Sequence, residues 1–143
     1  MPMASALSVR TTWIEPFEGT ALTPRNGPWA HRLVDAITRE THDQDQVQVA
    51  TTDIGPVTLL AVEGSDDIVV EVALGPADRA PAEVLAAAVR TSTGAHPTRR
   101  GPELSPADEA PGVSFGIHSL REGPLLDVVM PRFSVQTRHD LTA

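Results

Sequence analysis

The sequence predicts an α+β fold, an antiparallel β-sheet packed against two helices in a single domain. Three observations carry that prediction. Residues 57–74 alternate apolar side chains on either side of an acidic, glycine-containing turn, the pattern of a β-hairpin. Residues 81–90 then repeat apolar side chains at helical spacing. A chain of 143 residues has room for one core, and a hairpin followed by an amphipathic helix is the seed of a sheet with a helix laid across it.

Taken in order, residues 1–27 read as an irregular segment. Val9, Thr11 and Trp13 suggest a weakly alternating edge strand over residues 8–14, and Pro16, Gly19, Pro24 and Gly27 mark residues 15–27 as loop. Residues 28–135 read as the α+β domain. In it, residues 28–40 form the first helix, because Trp29, Leu33, Val34 and Ile37 fall at i, i+4, i+5 and i+8. Trp13, Phe17 and Trp29 make up most of the aromatic inventory and are expected to anchor the irregular segment. Residues 41–46 are a polar connector. Val47, Val49 and Ile54 start a strand that Gly55-Pro56 joins to the hairpin.

In the hairpin, Val57, Leu59 and Ala61 alternate with Thr58, Leu60 and Val62, so this strand is expected to bury both faces. Gly64 with Glu63, Asp66 and Asp67 supplies turn chemistry, and Gly75-Pro76 ends the returning strand. The second helix begins near Pro81, with Glu83 in its first turn and Val84, Leu85, Ala88 and Val89 on one side. Arg90 and Gly94 stop it. Residues 95–112, with Pro97, Pro102, Pro106 and Pro111 among charges, read as a mobile loop without secondary structure. A second hairpin follows: Val113, Phe115 and Ile117 alternate, residues 121–124 turn, residues 125–130 return, and Phe133 and Val135 extend an edge. Residues 136–143 are read as a frayed tail.

Composition narrows function. No cysteine means no disulfide, thiolate nucleophile or thiolate metal site. A formal charge of −8 repels phosphate backbones and anionic lipid, which argues against nucleic acid and membrane partners. No run is long enough to span a bilayer and the start has no signal-peptide pattern, so a cytoplasmic protein is expected. No nucleophile elbow or glycine-rich phosphate loop is present. The five histidines never reach a metal spacing with one another; the nearest cluster, His42-Asp43 with Asp45, reads as a solvated turn. No metal or cofactor is expected.

The order helix, three strands, helix, two strands resembles the type III secretion chaperone fold and the related YbjN-like domains. The likeness centres on residues 57–76, with the stretch DDIVVEVALGP before a helix opening APAEVL, and extends to the closing hairpin GVSFGIHSLREGPLLDVVMP. It lacks a counterpart to that family's C-terminal helix. A shorter likeness, to YbaB-type proteins, stops at Gly94. The first resemblance implies a small acidic homodimer that binds a partner segment along an apolar groove. The expected function is therefore a non-enzymatic protein- or peptide-binding module, chaperone-like or adaptor. Val69, Ala73, Leu126 and Val128 are the expected partner-binding residues, because their strands carry apolar side chains on both faces. The alternative is a small enzyme or small-molecule-binding protein, with a cavity between sheet and helices and a site made of His118, Asp127 and Arg132.

Overall fold

The computed structural model describes residues 11–25, 27, 29–116 and 125–132. Among these residues the chain builds eight strands and one α-helix: β1 (Glu18–Leu22), β2 (Val34–Thr41), β3 (Val47–Thr52), β4 (Gly55–Glu63), β5 (Val69–Leu74), α1 (Pro81–Ser92), β6 (Thr98–Arg100), β7 (Val113–Gly116) and β8 (Leu125–Pro131). The strands form two four-stranded antiparallel sheets, ordered β1-β2-β8-β7 and β5-β4-β3-β6. The architecture is thus mixed and mostly β, with one helix where the sequence suggested two.

Strand β4 is the middle of the structure because its sequence is apolar on both sides. Leu60 and Val62 meet Val47 of β3 and Leu126, Val128 and Met130 of β8, so this face packs sheet on sheet. Val57 and Leu59 point the other way and meet Val84, Ala87 and Ala88 of α1. The result is three layers: sheet, sheet, helix. Thr58 faces the sandwich interior at 0% exposure, and its hydroxyl has no hydrogen-bond partner.

Helix α1 starts at Pro81, whose fixed φ suits the first turn, while the Glu83 carboxylate accepts a hydrogen bond of 2.9 Å from the Ala80 amide. It stops where Gly94 takes φ 82° and the Ala95 amide donates back to the Arg90 carbonyl. Gly75 lets the helix close on the end of β5, since a Cβ there would lie 2.5 Å from Val84 Cγ2.

Four readings from sequence are corrected by the chain's long-range pairing. Residues 34–40, expected in a helix, and Thr41, expected in the connector, form β2, which pairs with β1 on one side and β8 on the other. Its β-branched Val34, Ile37, Thr38 and Thr41 suit that setting, and two ladders outweigh a local apolar period. Trp29 instead sits in a turn where His31 has φ 61°. Residues 18–22, read as loop, form β1. Residues 98–100, read as part of a structureless loop, form β6 on the edge of β3, followed by a 3-10 turn at Gly101–Glu103. The element order behind the family resemblance fails at its first helix. The turn at 121–124, the strand continuation at Phe133 and Val135, and the tail 136–143 lie outside the described residues, as do residues 8–10 of the expected first strand.

Residues 11–14 are tied to the β4–β5 turn. Trp13 bridges Gly64, the Ile14 amide donates to the Glu63 carbonyl at 3.0 Å, and the Ser65 amide to the Thr12 carbonyl at 2.8 Å. Glycine is required by this approach, because a Cβ on residue 64 would sit 2.2 Å from Thr11 Oγ1.

Candidate functional site

Among the described residues, the long outer edge of β5 is where chemistry is left unspent. Strand β5 pairs with β4 on one side, and among the described residues no strand pairs with the other. Alternate residues of such an edge turn N–H and C=O groups outward with no ladder to receive them. The sequence VVEVAL carries none of the usual edge guards except one charge: it has no lysine, no proline and a single carboxylate. That carboxylate, Glu71, accepts a hydrogen bond of 3.0 Å from the Ser92 hydroxyl of α1.

One wall of the edge is made by the helix. Val84, Ala87, Ala88 and Thr91 are buried, while Leu85 and Val89, one step around the helix, remain 63% and 58% exposed. A residue step of about 100° turns those two side chains away from β4 and over the edge of β5. The opposite wall comes from the other sheet and its turn: Trp29, Met130 and Pro131. Together they enclose a groove of about 820 Å³ with Val70, Val72 and Leu74 along its floor. The polar groups at the groove are few, chiefly Glu71, Arg79 and Ser92. An open, mainly apolar trough along unpaired backbone suits an extended chain segment: main-chain hydrogen bonds hold it, and side-chain pockets alternate on its two faces.

The residues expected from sequence to bind a partner separate in space. Val69 stands 59% exposed at the start of the edge, and Ala73 is half-buried, packed beside Val57, Leu59 and Val84 while it lines the groove. Leu126 and Val128 are fully buried in the core between the sheets, so neither is presented to a partner. A second sheet covers the face of β8 that a single-sheet reading leaves open. His118 lies outside the described residues. Asp127 is half-buried on β8, opposite Ser114, and accepts a hydrogen bond of 3.0 Å from Thr38 Oγ1. Arg132 is exposed just past the end of β8, its amide bonded to the Asp35 carbonyl. Neither lines the groove.

A second polar group is structural. Arg39 of β2 is 4% exposed; it donates to Gln46 Oε1 at 2.7 Å and to the Glu15 carbonyl at 3.2 Å, and its guanidinium lies 4.7 Å from the Phe17 ring centroid. Desolvation pulls the Arg39 pKa below its ordinary value, against the opposing pull of Glu15, Asp43 and Glu63. The cluster fastens residues 15–17 to the sandwich and lies outside the groove. The Asp43 carboxylate of the sequence's acidic cluster is occupied locally, accepting from the Asp45 amide and from Gln46 Nε2. Among the described residues no three His, Asp or Glu side chains gather as a metal site.

Leu85 and Val89 were legible as part of an apolar stripe, but not that they face outward. The signal was its width: four apolar positions, Val84, Leu85, Ala88 and Val89, exceed what one sheet face covers. Trp29, Met130 and Pro131 join them only through tertiary structure. No protein-family model, no curated protein and no solved structure matches the chain.

Proposed function

We propose that this chain is a non-enzymatic binding module that takes an extended apolar peptide segment into the groove, as an added strand on β5. The observation that carries the reading is the coincidence, among the described residues, of an unpaired strand edge and apolar walls in one trough. Backbone pairing supplies sequence-tolerant affinity, and the pockets beside Leu85, Val89 and Trp29 favour alternating apolar side chains. The edge is the floor of a trough, so a single strand fits it better than the broad face of a second copy. With a charge of −8, neutral or basic segments are favoured over acidic ones.

The test is a titration of the Trp13→Phe variant, which keeps Trp29 as its one tryptophan, with a synthetic peptide of alternating valine and threonine flanked by lysines, read by the emission of Trp29 and by its accessibility to a quencher. Saturable shielding of Trp29 is expected. Unchanged Trp29 accessibility, with the peptide bound elsewhere or not at all, refutes the reading.

A further inference from the structure

We infer that Glu71 is the residue that sets which strand the edge of β5 accepts. It selects an antiparallel segment with lysine or arginine directly opposite itself, and it rejects a second copy of this chain. The inference rests on the peptide-binding reading above and names the chemistry of the segment that the groove takes.

The first argument is the direction of the backbone. The Gly64 amide donates to the Ile68 carbonyl at 2.7 Å, which fixes the phase of the β4–β5 ladder. Bonded pairs alternate from there, so Val70, Val72 and Leu74 direct their N–H and C=O groups at Val62, Leu60 and Thr58. Val69, Glu71 and Ala73 turn theirs outward. The residue that an added antiparallel strand sets opposite Glu71 therefore exchanges main-chain hydrogen bonds with it and shares its face.

The second is what surrounds that face. It is the helix side of the sheet, since Ala73 packs beside Val84 and Glu71 accepts from the Ser92 hydroxyl at 3.0 Å. Among the described residues that line the groove, Glu71 is the one carboxylate, and the one cation, Arg79, lies past the end of β5 beside Asp78. A carboxylate offers about four acceptor positions and Ser92 takes one, so the exposed Glu71 keeps capacity for a cation. The neighbours on this wall, Leu85 and Val89, are apolar and exposed. They suit the aliphatic stem of lysine or arginine while its charged head meets Glu71.

The third is the fate of a second copy. When β5 pairs with itself about a two-fold axis, the register that uses all three outward residues sets Val69 against Ala73 and Glu71 against Glu71. Like charges directly opposite one another are destabilising. Sliding by two avoids that contact, but then Ala73 or Val69 falls beyond the partner strand and its outward groups stay unpaired. A basic residue on a foreign segment has neither penalty.

The experiment compares two isomeric peptides on the Trp13→Phe protein, with the shielding of Trp29 as the readout. Both keep the valine-threonine frame and its flanking lysines. One has lysine at a central threonine position and glutamate at an outer one, and the other exchanges the two. Their net charge is equal, so the overall field of the protein does not separate them. The central-lysine isomer should bind roughly two- to thirtyfold more tightly, the range for replacing a like-charged cross-strand pair by an opposite one. Glu71→Arg should reverse the preference, while the amides of Val84, Ala87 and Ala88 keep their hydrogen exchange, which shows that the variant is folded. Equal binding of the isomers, or a preference that survives Glu71→Arg, overturns the role of Glu71 and leaves the groove reading standing. Protection of the Glu71 and Ala73 amides that grows with protein concentration means that a second copy takes the edge, and it overturns the assignment as well. If neither isomer shields Trp29, both readings fall.

Discussion

Replacing Leu85 and Val89 with serine separates the groove from the core, because the two residues belong to an apolar helix stripe yet do little for the fold. They are 63% and 58% exposed, so folding hides less than half of each side chain. Full burial of such a side chain is worth about 1.5–3 kcal/mol, and a peptide that covers the exposed share gains roughly 1–2 kcal/mol from each. The double variant Leu85→Ser/Val89→Ser should therefore weaken the valine-threonine peptide by about 2–4 kcal/mol, or on the order of 30- to 1,000-fold in Kd. Its unfolding free energy should fall by about 1–2 kcal/mol, from the hidden share of the two side chains by the same rule. Val84→Ser, one residue away but 8% exposed against Val57 and Leu59, should cost about 2–4 kcal/mol in stability instead. Denaturant titration and peptide binding on the same three proteins decide the matter. If the double variant binds as tightly as wild type, the helix is not a wall of the site. If it unfolds as readily as Val84→Ser, these residues are core and the groove is closed in solution.

Other consequences follow from the same packing. Thr58→Val should stabilise the protein by about 1–2 kcal/mol, since it removes a buried hydroxyl without a partner, and should raise Tm by roughly 3–7 °C for a chain of this size; a lower Tm would mean that the hydroxyl is bonded. Arg39→Ala should cost about 2–4 kcal/mol in denaturant titration, because it leaves Gln46 Oε1 and the Glu15 carbonyl without their donor; Arg39→Met combined with Gln46→Leu should recover much of that loss. Asp108 accepts from the Ser105 amide and hydroxyl and from Arg99, and these bonds hold its pKa below the ordinary carboxylate value. A depressed folded pKa contributes stability above the unfolded value and loses it as pH falls through the folded one. Stability should therefore decline on acidification from the ordinary carboxylate range downward, and Asp108→Asn should flatten that part of the pH–stability curve without steepening any other.

Much of the fold is written locally. The β4–β5 hairpin, helix α1, strand β3 and the β7–β8 pair follow from alternation, turn glycines and helical spacing, and the apolar character of both faces of β4 announces a layer on each side. What is not local is not legible. Trp29, Leu33, Val34 and Ile37 mimic a helical stripe, yet His31 at φ 61° breaks the chain there and β2 is claimed by two neighbouring strands. Strand β1 is hidden among Pro16, Gly19 and Pro24, and β6 is three residues long, held by its ladder to β3. The same blindness misplaced Leu126 and Val128, which look available until a second sheet is laid over them. The groove was half legible: β5 and the wide stripe of α1 are in the sequence, while the wall of Trp29, Met130 and Pro131 exists only after folding.

The most direct measurement is the pattern of interstrand NOEs between a labelled valine-threonine peptide and the amide and α-protons of β5. A ladder running along Val70, Val72 and Leu74 at alternating spacing, with side-chain contacts to Leu85 and Val89, is the expected result. Contacts that avoid β5, or that touch the helix with no backbone ladder, would contradict strand addition as the way this protein binds.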